Sequence, residues 1–275
     1  MRSSGIPYLL PMLVLSGLFF VLPLVLLILF SFTRDGAVSL QNYAAFFEDP
    51  FNVKVLTATA RLGLETVAGT TLLGLPVALL YWHSGPKTRQ VLVFLSLVPM
   101  LTSNVVRTFA WIVILGRQGP ISQTLMALGA TGAPFSLLFT EFGLVLTMTQ
   151  IDLPLIILPL VAVLSGTRRD LSDAAATAGA GPWRIFVTIL LPLMVPGLLA
   201  GWILVFASTS ASFVTQAVIG GARNVYVPQL IYREVGILFD WPLASAIAVI
   251  LLVLTGGTLL ALASLARHPR FARYV

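Results

Sequence analysis

Residues 241–265 read WPLASAIAVILLVLTGGTLLALASL, an apolar run without one charged side chain. A helix needs about 20 mostly apolar residues to cross the hydrocarbon of a bilayer, so this run predicts a transmembrane helix. Five further runs qualify by the same rule. The six predicted spans lie near residues 8–32, 58–82, 91–115, 136–164, 194–219 and 241–265. The sequence therefore predicts an all-α, polytopic membrane protein with about six transmembrane helices.

The composition points to lipid as the main solvent. Hydrophobic residues make up 58% of the chain and charged residues 9%, whereas soluble domains average roughly 45–50% and about 25%. The net charge is +6, but the basic residues fall mainly in short connections, which favours a topology signal over a nucleic-acid surface. Cysteine is absent, and His83 and His268 are far apart, so neither a metal site nor another cofactor is predicted.

The distribution of Lys and Arg predicts the orientation. With the N-terminus in the cytoplasm, the cytoplasmic connections carry more Lys and Arg than the opposite ones, so both termini are predicted inside. The first run, 8–32, exceeds the roughly 7–15 residues of a signal-peptide core. It therefore favours an uncleaved first helix, with a cleaved signal as the weaker alternative.

The long connection 166–192 contains DLSDAAATAGAGPWRIFVTILLP at residues 170–192. Its alanine-rich part favours a helix, and Gly179 and Gly181 can end that helix. Pro182 can begin a second short helix, which Pro192 is expected to end before the next span. Two short helices are thus expected on the cytoplasmic face. They could be an amphipathic connector at the membrane surface or could dock into a groove on a soluble partner.

The same stretch resembles the cytoplasmic coupling motif of ABC importer permeases, which seats in a cleft of the ATPase subunit. Asp173 stands where that family usually has glutamate. Three further stretches, Pro99–Trp111, Asn42-Tyr43 and Asp240-Trp241-Pro242, look like the spermidine/putrescine-type branch of the family. The residues that match the coupling motif are Asp173, Ala174, Ala175, Gly179, Phe186, Ile189 and Pro192.

The resemblance implies a type I ABC importer permease fold in the bacterial inner membrane, with residues 1–275 as one transmembrane domain. It also implies three partners: an ABC ATPase subunit, a second permease that is identical or homologous, and a periplasmic solute-binding protein. The sequence has no Gly-x-x-x-x-Gly-Lys-Ser/Thr loop, so ATP hydrolysis is expected on a separate subunit. The implied cargo is a small organic solute, polyamine-like or related.

Polar and charged residues within the spans suggest a pathway, because such groups usually face a protein interior or a water-filled cavity. Arg61 and Glu65, spaced i,i+4, could simply pair on one helix face. Arg107 and Asp152 could pair across helices. The carboxylate would suit a cationic solute, whereas the arginine argues the other way. The predicted pathway residues are Asp152, Arg107, Asn104, Ser208, Ser212 and Gln216.

Two other classes were weighed against an importer permease. An ion-coupled secondary transporter often has two related halves with broken helices, and no such halves stand out here. An intramembrane enzyme needs a nucleophile with a base, or a metal cluster, at membrane depth. The sequence offers neither, so no catalytic residue is predicted. The connection 173–192 favours the importer permease, since neither rival requires it.

Overall fold

The computed structural model describes residues 11–12, 14–34, 36–167 and 170–266. Residues 8–10 of the first predicted span, residues 168–169 of the predicted loop and the basic tail from Arg267 lie outside the described residues, as do both chain termini. The described elements are α1 (Leu22–Ser31), β1 (Thr33–Arg34), β2 (Ala37–Val38), α2 (Gln41–Glu48), α3 (Pro50–His83), α4 (Pro86–Leu97), α5 (Asn104–Leu115), α6 (Pro120–Ala127), α7 (Glu141–Gly166), α8 (Asp170–Thr177), α9 (Pro182–Ile185), α10 (Leu191–Ala211), α11 (Phe213–Thr215), α12 (Val227–Arg233) and α13 (Trp241–Ala266).

Short π and 3-10 segments extend several of these helices. A 3-10 turn follows α4, and π segments precede α1 and α10 and follow α11 and α12. They are Gly17–Val21, Val98–Leu101, Phe186–Leu190, Gln216–Gly220 and Glu234–Leu238. The two short strands pair antiparallel, with Thr33 opposite Val38.

The prediction of about six transmembrane helices is confirmed. In the described part of the chain, five helices are long and apolar enough to cross a membrane, and one bent helix pair makes a sixth candidate. The five helices are Val14–Ser31, Pro50–His83, Glu141–Gly166, Pro182–Ala211 and Trp241–Ser264.

The third predicted span, 91–115, is not one continuous helix in the structure. Two helical segments, Pro86–Leu101 and Asn104–Ala127, meet there at an angle of 96°. Between them Thr102 has an extended backbone with ψ of 138°. Its N–H closes a tight turn onto the carbonyl of Pro99, a residue that cannot donate a backbone hydrogen bond of its own. The third candidate span is therefore interrupted at residues 102–103.

The helix of the fifth predicted span, 194–219, begins earlier than residue 194 and is interrupted before residue 219. The helix runs without a break over Pro182–Ala211 and passes through Pro192, which was expected to end a separate short helix. The π segment Phe186–Leu190 lies directly before this proline, and its wider hydrogen-bonding pattern accommodates a residue without an N–H. The break occurs instead at Ser212, where ψ is 93°.

Capping residues move two other boundaries. α3 begins earlier than the predicted span 58–82, because the side chain of Asp49 accepts a backbone N–H of its first turn at 2.8 Å. α7 begins later than the predicted span 136–164, because Thr140 caps it by accepting the N–H of Gly143 at 3.1 Å. The sixth span ends within one residue of its prediction.

The chain divides into two compact units. The described residues up to Thr57 and the segment Val227–Val253 form the first, and those from Ala58 to Tyr226 and from Leu254 onward form the second. The prediction of one transmembrane domain over 1–275 stays a prediction.

The second unit is built around α7, most of which is buried. α7 packs against α10, and two glycines of α10 allow the close approach. A Cβ on Gly201 would lie 2.7 Å from Cγ1 of Ile156, and one on Gly197 would lie 2.9 Å from the carbonyl oxygen of Pro159. Small residues permit such packing where lipid provides no hydrophobic driving force between helices. α7 and α10 also carry the polar groups described below.

Candidate functional site

The turn between α8 and α9 is a Schellman motif. Gly179 has φ of +84°, a left-handed conformation that glycine adopts at low cost. Its N–H donates to the carbonyl of Ala176 at 2.9 Å, and the N–H of Ala180 donates to that of Ala175 at 3.0 Å. This pair of bonds defines the motif and fixes the angle at which the chain leaves α8. The predicted end of the first short helix at Gly179 is confirmed.

α9 begins as the sequence predicts and then continues into the membrane span. Gly181 is extended and Pro182 occupies the first helical position. Since Pro182–Ala211 is one helix, the second coupling helix is the first part of the fifth span. No hinge at Pro192 separates them.

The coupling-motif residues fall into two groups. Asp173, Ala174 and Gly179 are exposed. The other four, Ala175, Phe186, Ile189 and Pro192, are half-buried. The first group can contact a partner, and the second packs within the chain.

Three residues at the end of α3 adjoin the two short helices of the 170–192 stretch. Leu79, Trp82 and His83 line a pocket of about 790 Å3 together with Asp173 and Phe186. The sequence carries no signal for this contact, because about ninety positions separate the two stretches. Trp183 was also not assigned to the site, yet its side chain is 75% exposed beside the ring of Phe186.

A second, polar cavity lies among helices of the second unit and has a volume of about 380 Å3. The break in the third candidate span, α7 and α10 supply its walls. Four of the six predicted pathway residues line it, so the structure brings these four together. The lining residues are Met100, Thr102, Asn104, Arg107, Ile151, Asp152, Pro154, Leu155 and Ser208.

Asp152 is the buried acid of this cavity and is only 3% exposed. Ser208 Oγ donates to its Oδ1 and Thr209 Oγ1 donates to its Oδ2, each at 2.8 Å. Both hydroxyls come from the last turns of α10. The carboxylate therefore joins α7 to the helix that begins at the coupling loop. Thr209 is not among the predicted pathway residues, because the sequence does not show that its hydroxyl meets Asp152.

Arg107 lines the same cavity but does not take Asp152 as its partner. Its Nη1 donates to the carbonyl of Ile151 at 3.3 Å, and its Nη2 donates to Oδ1 of Asn104. Its Nε is buried without a hydrogen-bond partner. The pairing of Arg107 with Asp152 across helices, which the sequence left possible, is not what the structure has.

Ser212 and Gln216 lie at the break of the fifth span, outside the cavity lining. Ser212 ends α10, and Gln216 is fully buried. Gln216 Nε2 donates at 2.8 Å to the carbonyl of Thr209, which also accepts the N–H of Ser212 at 3.2 Å where the helix stops. Gln216 thus stabilises the break. Its role in a pathway, like that of Ser212, stays a prediction.

Arg61 forms an ion-paired cluster elsewhere in the second unit. Its Nε lies 2.7 Å from Oε1 of Glu65, which confirms the predicted i,i+4 pair, and 3.3 Å from Oε1 of Glu141. Burial, and then the carboxylates of Glu141 and Glu65, raise the pKa of the nearby Tyr226 hydroxyl. Among the described residues, no group of three or more His, Cys, Asp or Glu could hold a metal ion.

Comparisons with known proteins place this arrangement in a family. Residues 70–273 match the model of the binding-protein-dependent transport system inner membrane component. The spermidine/putrescine transport system permease protein PotB of Haemophilus influenzae is 32% identical over 86% of this chain and 85% of its own length. PotB of Escherichia coli is 30% identical over 88% and 90%. The putative 2-aminoethylphosphonate transport system permease protein PhnU of Salmonella typhimurium is 30% identical over 90% and 87%.

Solved structures share the fold. A bacterial ABC transporter for the import of alginate matches with a TM-score of 0.79 at 16% identity, over 96% of this chain and 94% of its own. The MetNI methionine ABC transporter matches with a TM-score of 0.59 at 17% identity, over 78% and 94%. These comparisons give no support to the ion-coupled secondary transporter. The chain belongs to the family of binding-protein-dependent transport system inner membrane components, and it is a multi-pass permease subunit of an ABC importer.

Proposed function

We propose that this permease carries a small organic solute with amino groups, polyamine-like or related, and that residues 173–192 couple it to a separate ATPase subunit. One observation carries the proposal, namely that a single helix, Pro182–Ala211, contains both elements. The second coupling helix forms its first part, and Ser208, which donates a hydrogen bond to Asp152, lies near its other end. At 1.5 Å per residue these ends are roughly 35–40 Å apart. The helix therefore joins the coupling surface directly to the polar cavity.

We expect residues 173–192 to transmit movement because they are joined rigidly to the fifth span. The Schellman turn at Gly179 fixes α8 against α9, and α9 continues into the span without a hinge. A partner that shifts the exposed face around Asp173 and Ala174 therefore moves the whole helix. At its far end, Ser208 and Thr209 change position relative to Asp152 on α7. ATPase closure would then open or close the cavity.

The partners follow from the same assignment. We propose that the coupling helices face the cytoplasm, that both termini lie on that side, and that the ATPase binds there. A second permease, identical or homologous, completes the pathway, and a periplasmic solute-binding protein delivers the solute. The alginate ABC transporter, which shares the fold, was solved in complex with an alginate-bound periplasmic protein, and this supports a partner of that kind.

The solute class is supported by the names of the relatives. PotB serves spermidine and putrescine, and PhnU is assigned to 2-aminoethylphosphonate. These three solutes share a primary amino group and differ in their other charges. We therefore propose that the solute of this chain also carries a primary amino group.

The test of coupling uses matched substitutions of exposed alanines in the assembled complex. Ala174→Arg adds bulk and charge to the exposed side of α8 while it keeps a good helix former. Ala133→Arg makes the same change on a connection predicted on the opposite side of the membrane. With a tagged permease, the Ala174 variant should lose the co-purified ATPase and the Ala133 variant should retain it. If both variants retain the ATPase and transport normally, the coupling role of 173–192 is wrong.

A further inference from the structure

We infer that the cavity beside Asp152 is a binding site for the primary ammonium group of the transported solute, an inference that rests on the function proposed above. Asp152 would accept N–H donors from the ammonium, and Ser208 would supply a further oxygen.

The Asp152 carboxylate has room for more donors. Each of its oxygens accepts one hydroxyl, from Ser208 and Thr209, and a carboxylate oxygen can accept two hydrogen bonds. Ser208 itself lines the cavity and keeps acceptor capacity after donating its proton. The Asp152 carboxylate and Ser208 Oγ thus offer acceptors to an ammonium, which has three N–H donors.

The Asp152 carboxylate has no salt-bridge partner among the described residues, although the Arg107 guanidinium in the same cavity acts on it electrostatically. The ion pairs among the described residues do not include Asp152, and Arg107 is directed to the carbonyl of Ile151 and to Asn104. A carboxylate that is 3% exposed in a candidate membrane span is costly unless a cation or further hydrogen bonds compensate it. An incoming ammonium would supply that compensation. The cavity volume of about 380 Å3 lies in the range of roughly 300–1,000 Å3 that holds small ligands.

Arg107 limits what else the solute can carry into the cavity. Its guanidinium lines the same space, and its Nε–H is buried without an acceptor. A second ammonium held beside it would be repelled, whereas an anionic group could accept the free N–H. The ammonium at Asp152 is the feature that both kinds of solute share. Two solutes distinguish these kinds. Putrescine has two ammonium groups, whereas 2-aminoethylphosphonate has one ammonium and one phosphonate group.

The experiment measures ATP-driven uptake of labelled putrescine and of labelled 2-aminoethylphosphonate into proteoliposomes that contain the full complex with its binding protein. Asp152→Asn keeps the shape of the side chain and removes its charge. Uptake of whichever amine the wild type imports should fall roughly tenfold or more, because a buried charged partner is lost. Asp152→Glu, which keeps the charge, should retain more uptake than Asp152→Asn.

The matched control is Glu141→Gln, which neutralises another carboxylate of α7. Glu141 contacts Arg61 at 3.3 Å and does not line the cavity. Uptake by the Glu141→Gln complex should stay within about twofold of wild type, because an exposed ion pair contributes little free energy. Co-purification with the ATPase verifies assembly of each variant. If Asp152→Asn does not assemble, Ser208→Ala replaces it as a milder loss of one acceptor, with an expected fall in uptake of about threefold.

Three outcomes decide the matter. A wild type that imports an amine, with a fall in the Asp152 or Ser208 variant and none in the Glu141 variant, supports the site. A wild type that imports an amine, with no fall in an assembled Asp152→Asn or Ser208→Ala complex, overturns the site and leaves the proposed function standing. An assembled wild-type complex that imports neither amine overturns the proposed solute class, and the ammonium site falls with it.

Discussion

Nη1 of Arg34 lies 3.1 Å from Oδ2 of Asp240, an ion pair that joins two ends of the first unit across 206 positions of sequence. The same nitrogen donates to Oδ1 of Asn42 at 3.0 Å. Asp240 in turn caps α13, because its Oδ1 accepts the N–H of Leu243 at 3.0 Å. The Asn42-Tyr43 and Asp240-Trp241-Pro242 stretches, noticed separately in the sequence, therefore meet at one arginine.

This contact predicts an order of stability losses. Asn42 is fully buried, and its Nδ2 donates to the carbonyls of Ser31 and Thr33, so Asn42→Ala should cost about 2 kcal/mol. Arg34→Ala removes a partly exposed pair and should cost about 1 kcal/mol or less. Thermal unfolding in detergent should rank Asn42→Ala below Arg34→Ala and both below Gln41→Ala, an exposed neighbour. Equal midpoints for Asn42→Ala and Gln41→Ala would contradict this assignment.

Substitution of Gly179 should uncouple the permease without unfolding it. No atom lies within 4 Å of a Cβ built at Gly179, but its φ of +84° strains any L side chain, by about 1–2 kcal/mol. Gly179→Ala should weaken ATPase stimulation, Gly179→Asn should be milder, and Gly179→Trp should also abolish co-purification of the ATPase. The control is Gly85→Ala, where φ is −75° and the space is equally open. Wild-type coupling in Gly179→Trp would be inconsistent with the docking surface.

Asp173 tests whether charge or length matters at the position where the family usually has glutamate. Because the side chain is exposed, an ion pair with the ATPase is worth about 0.2–1 kcal/mol. Asp173→Asn should therefore weaken ATPase binding by roughly 1.5- to 5-fold, and added salt should diminish the difference. Asp173→Glu should bind at least as well as wild type. Titration of purified ATPase onto the permease measures both; identical affinities for Asn and Glu would exclude a role for the charge.

The contact between α7 and α10 should tolerate no side chain at Gly201. A Cβ there would lie 3.0 Å from Cα of Ile156 and 2.7 Å from its Cγ1, so Gly201→Ala should destabilise the protein by about 1–3 kcal/mol. It should also slow transport, since α10 carries the ligands of Asp152. Gly256→Ala on α13 has no neighbour within 4 Å and should behave as wild type. Detergent stability and uptake of the two variants, compared side by side, check this.

The sequence by itself determined the number of spans and the coupling motif, because both depend on local chemistry. A run of about 20 apolar residues is long enough to cross the membrane, whichever helices it later packs against. Gly179 and Pro182 fix the turn between α8 and α9 through their own backbone preferences. The i,i+4 pair of Arg61 and Glu65 likewise follows from the helical repeat alone.

Only the tertiary structure decided how the spans break and which polar groups meet. Pro192 is a helix breaker by propensity, yet the preceding π segment carries the helix through it, and Ser212 breaks it instead. The sequence identified Asp152 and Ser208 as polar, but their hydrogen bond arises from the packing of α7 on α10. The opposite charges of Arg107 and Asp152 suggested an ion pair, but Arg107 donates instead to the carbonyl of Ile151. Hydropathy and propensity act along the chain, whereas these contacts depend on distances between helices that no local signal encodes.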